Sequence, residues 1–161
     1  SGVKVGITRK TQIPTRWLDQ GASQALPIFE VQSRLLSGLI EVVFAQHIAD
    51  KTNWQRLLKS DAEYQDLTLI RDELMTVCAK ELAALEAKFP QQMQALRQNM
   101  VDFKFPVQQY PLKVKSFNFD TTPQVKGVLQ GIKGQYLILD TGVINLRKFG
   151  GYEIMFGEKN V

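Results

Sequence analysis

DLTLIRDELMTVCAKELAALEAKFP, residues 66–90, is the stretch that decides how the rest of the chain must be arranged. Ile70, Leu74, Val77, Cys78, Leu82, Leu85 and Phe89 recur at steps that lay them along one drifting stripe of an α-helix. Asp66 offers a side-chain acceptor where the first free amides of such a helix lie, and Pro90 stops it. The spacing therefore predicts one long amphipathic helix over this span. A helix that is apolar along a single stripe needs a second layer to cover it, so the flanking segments have to supply one.

Downstream, Gln91 to Met100 reads as a shorter helix, and Pro106 and Pro111 flank an extended linker. From Leu112 the pattern changes to alternation between Gly-containing turns: Val114 to Phe119, Val125 to Gly131, Gln135 to Asp140, Val143 to Lys148 and Tyr152 to Phe156. Asp140-Thr141-Gly142 and Gly150-Gly151 are hairpin signals. Five short strands at this spacing predict a small antiparallel meander or partly closed barrel, with Gly127, Gly131 and Gly134 as its bends. Lys133, at the Lys133-Gly134-Gln135 turn, is expected to be exposed.

Upstream, Val3 to Ile7 alternates like a strand, and Thr8 to Gln12 is a polar, basic loop. A short helix follows, with Pro14 suited to its first turn and Gly21 to its stop. Pro27 to Val31 reads as a second strand. Ser37 is the expected N-cap of a second helix, whose Ile40, Val43, Phe44 and His47 form one apolar stripe. The fold class is α+β. Residues 1–60 form a small α/β head, 61–111 a helical middle and linker, and 112–161 a small antiparallel β unit.

Composition limits what such a protein can be. The chain has 161 residues, 44% of them hydrophobic and 22% charged, an ordinary globular balance. No apolar run is long enough to span a bilayer, and no signal peptide opens the sequence. The single cysteine, Cys78, excludes an internal disulfide or a cysteine-based zinc cluster within these residues and agrees with a reducing, cytoplasmic compartment. The formal net charge of +4 is spread unevenly. The head carries eight Lys/Arg against four Asp/Glu, the middle five against eight, and the β unit seven against four. A basic head and a basic tail suit a polyanion contacted at both ends, although ordinary surface variation gives the same balance. No P-loop or dinucleotide fingerprint is present, and one histidine does not make a Ser-His-Asp triad.

Lys4-Val5-Gly6-Ile7-Thr8, then Arg16 and then Glu41, carry a resemblance. The head resembles the GIY-YIG nuclease superfamily in its branch with a Lys-Ile-Gly second motif. The resemblance implies that Lys4-Val5-Gly6 is that motif, that Arg16 and Glu41 are catalytic, and that Glu41 holds the divalent metal, Mg²⁺. The whole chain is also similar to a bacterial family of unknown function. That similarity rests on Gly2 to Ala22 and on Gly131-Ile132-Lys133-Gly134-Gln135-Tyr136 through Asn145-Leu146-Arg147-Lys148. Members of that family carry a cysteine-rich N-terminal segment. The chain is accordingly expected to be the later part of a longer protein, in which a preceding strand supplies the first motif's tyrosine and the missing segment supplies a zinc site.

Phosphodiester hydrolysis needs a metal and a cation to stabilise charge on the phosphoryl oxygens; Glu41 and Arg16 are the candidates. Each has a plainer reading. An acid in a helix's first turn is favoured by the macrodipole, and Arg16 can pair with Asp19 on the same helix face. His47, on the apolar stripe, is expected to be a partly buried, hydrogen-bonded histidine. Trp17 and Trp54 can stack on bases or serve as core and rim residues. Tyr136 and Tyr152 form either an aromatic platform or barrel packing. Lys4, Arg9, Lys10, Lys133, Arg147 and Lys148 are the candidate nucleic-acid contacts, with a solubilising sheet edge as the plainer reading for Arg147 and Lys148. The expected function is binding of DNA or RNA, with Mg²⁺-dependent hydrolysis of GIY-YIG type in the full-length form. The alternative is a noncatalytic scaffold that docks a protein partner.

Overall fold

The computed structural model describes residues 2–48 and 53–157. Its helices are α1 (Thr15–Asp19), α2 (Arg34–Ala45), α3 (Trp54–Leu57), α4 (Leu67–Val77) and α5 (Ala79–Lys88). Its strands are β1 (Gln24–Ala25), β2 (Phe29–Val31), β3 (Met93–Ala95), β4 (Val101–Asp102), β5 (Leu129–Lys133), β6 (Tyr136–Leu139) and β7 (Gly142–Asn145). They form the antiparallel pairs β1–β4 and β2–β3 and one antiparallel sheet of order β5-β6-β7. The architecture is α+β.

The stripe of residues 66–90 packs as its pattern demands, but on two helices. Asp66 Oδ1 accepts from the amides of Thr68 and Leu69, closing the N-terminus as expected. The long helix then breaks at Cys78, whose φ of −92° and ψ of 11° leave the helical range. Thr76 Oγ1 donates back to the Asp72 carbonyl, a bond that bends helices, and the β-branched Val77 follows. The break leaves Leu74, Cys78 and Leu82 all buried in one cluster with Leu36, Ile40 and Phe44 of α2. Val77 is the stripe residue left outside, 59% exposed.

The second helix starts one turn earlier than expected. Ser33, not Ser37, accepts the capping bond, from Leu36 N–H. Two consequences follow. Glu41 lies past the first turn, so the macrodipole does not account for it. His47 lies beyond the helix, which has its C-cap at Gln46, and is exposed rather than part of the apolar stripe.

Two elements differ in kind from the pattern. Val3 to Ile7 keeps its alternation in exposure, and Val5 packs against the helical core, but the segment joins no sheet among the described residues. Gln91 to Met100 is not helical. After Pro90 the chain turns at Gln91, φ 62°, and Met93 to Ala95 pairs with Val31 to Phe29. The edge of β2 needs a partner and Met93 has core to cover, so pairing overrides the helical preference of the residues.

Among its described residues the β unit has three strands where alternation suggested five. The Asp140-Thr141 turn joins β6 to β7 as expected, with Leu139 opposite Gly142. Ser116 makes only an isolated bridge to Val143, and Tyr152 to Phe156 makes no strand and is exposed. β7 stops at Asn145, whose Oδ1 accepts from Arg147 and Lys148 N–H and caps a 3₁₀ turn, Leu146–Phe149. Two small apolar clusters sit on this sheet, Leu58 with Ile138 and Val143, and Leu139 with Ile144 and Phe149.

One contact seats the β unit on α1. Gly21 ends α1 at φ +69°, and Ala22 N–H reaches back to the Trp17 carbonyl. Gly134 opens the β5–β6 turn at φ +58°, and a Cβ there would stand 3.0 Å from Gly21 N. Both positions need positive φ and close backbone approach, which glycine alone supplies without strain.

Candidate functional site

Beside the Gly21–Gly134 contact lies a cleft of about 280 Å³ lined by Gly21, Lys4, Trp54, Gln135 and Tyr136. Trp54 is the first residue of α3, held there by Asn53, whose Oδ1 accepts from Gln55 and Arg56 N–H. Tyr136 is the first residue of β6. Their rings stack with centroids 6.0 Å apart and planes 4° from parallel. Trp54 remains 37% exposed and lines the cleft. Asp19 and Glu63 also line it.

A second cleft, of about 230 Å³, shares Leu57, Ala62, Glu63 and Gln65 of the strap 57–65 with the first. Arg56, Lys59, Asp61 and Lys133 line it. Lys133 is the surprise of this region: only 1% exposed, not at the surface of a turn. Its Nζ donates to the Ser60 carbonyl and to Tyr110 Oη, each at 3.0 Å, and stands 3.7 Å from Asp61 Oδ1. The Tyr110 ring lies 4.8 Å beneath the ammonium. Burial pushes the Lys133 pKa down, and Asp61 opposes that shift without cancelling it. Tyr110 in turn donates to Asp61 at 2.5 Å. Burial, with that bond and the Asp61 charge, raises its phenol above the usual range. The arrangement is a latch: a cation from the β sheet grips the strap that lines both clefts. As a contact for nucleic acid Lys133 is therefore unsuited, because its donors are already committed.

The other sequence-derived candidates are dispersed. Arg9 and Lys10 are exposed, and Lys10 pairs with Glu30 at 2.9 Å. Arg16 is half-buried on α1 and Glu41 half-buried on α2; neither lines either cleft. Among the described residues, ion pairs join Lys10 to Glu30, Arg71 to Asp72 and Lys133 to Asp61, and none joins Arg16 to Asp19, the plainer reading of that arginine. Among the same residues no three His, Cys, Asp or Glu side chains gather as a ligand set. Glu41 is thus a single carboxylate, which holds Mg²⁺ weakly. Arg147 and Lys148 are exposed on the 3₁₀ turn after β7. Leu146 N–H donates to the Gln135 carbonyl at 2.9 Å, which ties that basic turn to a residue of the first cleft. Tyr152 is not a partner of Tyr136: it meets Phe149 edge-on and donates to Asp120. Trp17 packs against Phe103, 6.1 Å between centroids.

Sequence reasoning named Trp54 and Tyr136 separately but not their stack, and it missed Arg56, Lys59, Ser60, Asp61 and Tyr110. The only local hint of the buried lysine is parity. Lys133 shares its strand face with Gly131, which is buried and bridges Val107, whereas Ile132 is 41% exposed.

No curated protein and no solved structure matches this chain. Residues 1–154 match the family described as "Protein of unknown function (DUF2797)", and the chain belongs to that family.

Proposed function

We propose that this protein binds single-stranded nucleic acid, with a base stacked against Trp54 in the cleft it forms with Tyr136. The observation that carries this reading is the parallel Trp54–Tyr136 pair, whose indole stays partly open to a cleft large enough for a planar ring. A base has an apolar face and a polar edge, and aromatic stacking accepts any of the four. Gln135 on the same wall offers an amide to such an edge. The basic turn carrying Arg147 and Lys148, tied to Gln135, supplies charge of the sign a phosphate backbone needs. Phosphodiester hydrolysis enters only through Arg16 and Glu41, which lie off this cleft. The reading is therefore one of binding, and hydrolysis is not assigned to this cleft.

The test is fluorescence anisotropy of labelled oligothymidylate and oligouridylate at low salt, followed by a salt titration. Binding that weakens steeply with salt is expected. Trp54→Ala is expected to cost about 1–3 kcal/mol, roughly 5- to 150-fold in affinity, the worth of one base–aromatic stack. Absence of binding to either strand at low salt, or full affinity in Trp54→Ala, overturns the reading.

A further inference from the structure

Trp54 and Arg56 stand on the same short helix but face different hollows. Trp54 lines the first cleft and Arg56 the second, while Leu57 lines both. Lys59 joins Arg56 in the second cleft. Both cations are exposed, and neither belongs to an ion pair among the described residues. The same cleft holds two carboxylates. Asp61 is already engaged, accepting from Tyr110 at 2.5 Å and facing Lys133 at 3.7 Å. That leaves Glu63 alone against Arg56 and Lys59. Two cations against one carboxylate leave an excess positive charge beside a hollow of about 230 Å³, which attracts an anion, and a guanidinium with an ammonium suits phosphate oxygens.

From this juxtaposition we infer that the second cleft is a phosphate subsite for the strand whose base stacks on Trp54: Arg56 and Lys59 contact the phosphodiester as the backbone crosses α3. This rests on the binding reading above and adds to it the register of the ligand. The Lys133 latch has a positioning role here. By gripping the Ser60 carbonyl it holds the residue next to Lys59, so the second cation is presented from a braced segment rather than a free loop. The ligand class is a single strand carrying phosphodiesters. A nucleoside alone would fill only the first cleft.

The experiment compares three proteins on labelled oligothymidylate across a salt series: wild type, Arg56→Ala/Lys59→Ala, and Lys80→Ala/Lys88→Ala. The last pair removes the same charge from α5, outside both clefts. All four side chains belong to exposed residues, and thermal melts confirm that each variant is folded. The Arg56/Lys59 variant is expected to bind more weakly, with the slope of log K against log salt reduced by about 0.7 for each phosphate that is no longer neutralised, while its tryptophan fluorescence is still quenched at saturation. The Lys80/Lys88 variant keeps the wild-type slope. An unchanged slope in the Arg56/Lys59 variant, with Trp54-dependent binding intact, overturns the phosphate subsite and leaves base stacking standing. An equal fall in both variants also overturns it, by showing a diffuse charge effect. Failure of the wild type to bind removes both readings together.

Discussion

The helical layer and the β unit bury their side chains by different rules. In the first, Leu36, Ile40, Phe44, Leu74, Cys78 and Leu82 close on one another with no polar atom beyond a thiol. Burial pushes that thiol's pKa up, so it stays neutral and behaves as a small apolar group. In the second, the apolar clusters are small, and a lysine sits among the most deeply buried side chains of the molecule. The helical layer is held by non-directional packing, whose strength follows area. The β unit depends in addition on a directional network, Lys133 to Ser60 and Tyr110, and Tyr110 to Asp61. Both clefts draw on the strap that the network anchors.

Phe44→Ala is the severest challenge to the packed side of this contrast. Phe44 is 1% exposed and stacks on Phe29 with 6.2 Å between centroids. Its truncation is expected to cost about 3–5 kcal/mol in chemical denaturation, enough to unfold a marginal domain. A loss below about 1 kcal/mol would mean the layer is not a close-packed core.

Lys133→Ala challenges the other side. It empties a buried site and leaves the Ser60 carbonyl without its donor. The expected loss is about 2–3 kcal/mol, with faster proteolysis between residues 57 and 65 than in wild type. Wild-type stability and unchanged cleavage there would show that the strap is held by something other than the latch.

The smallest effect sharpens the network rather than the core. The Tyr110 pKa is raised in the folded protein above its ordinary 10.0, so the folded state retains the phenolic proton where the unfolded chain has lost it. Its contribution is complete below pH 10.0 and declines above it. Lys133, lowered from 10.5, acts in the opposite sense: its penalty is relieved as pH rises towards 10.5. Comparing wild type with Tyr110→Phe isolates the first effect. The stability advantage of wild type is expected to hold steady from about pH 8 to 10 and to shrink between about pH 10 and 11. An advantage that stays constant to about pH 11 would detach Tyr110 from the network.

Several local signals in the sequence held where a single turn of chain contains the whole cause, although the cap expected at Ser37 is made by Ser33. Asp66 caps α4, Gly21 ends α1 and Asp140-Thr141 turns β6 into β7, because each needs only its nearest neighbours. The prediction for Met93 to Ala95 failed because the residues favour a helix and the β2 edge, distant in sequence, does not. The five-strand reading of the β unit failed for a related reason: alternation marks a segment that can pair, and Tyr152 to Phe156 has no strand beside it. The site was less legible than the fold. Trp54 and Tyr136 lie far apart in the chain, and no spacing rule joins two aromatics on different elements.

By itself the sequence determined the mixed α+β class, the apolar stripe of residues 66–90 and the glycines at the two tight turns. These follow from periodicity and from backbone freedom, which act over a few residues. Only the tertiary structure decided that Lys133 is inside, that Trp54 lies flat on Tyr136 and that Arg56 and Lys59 share a hollow. Burial and juxtaposition depend on which elements meet. That is settled by the Gly21–Gly134 approach and the packing of Leu58 on Ile138 and Val143, contacts between segments that carry no local mark of each other.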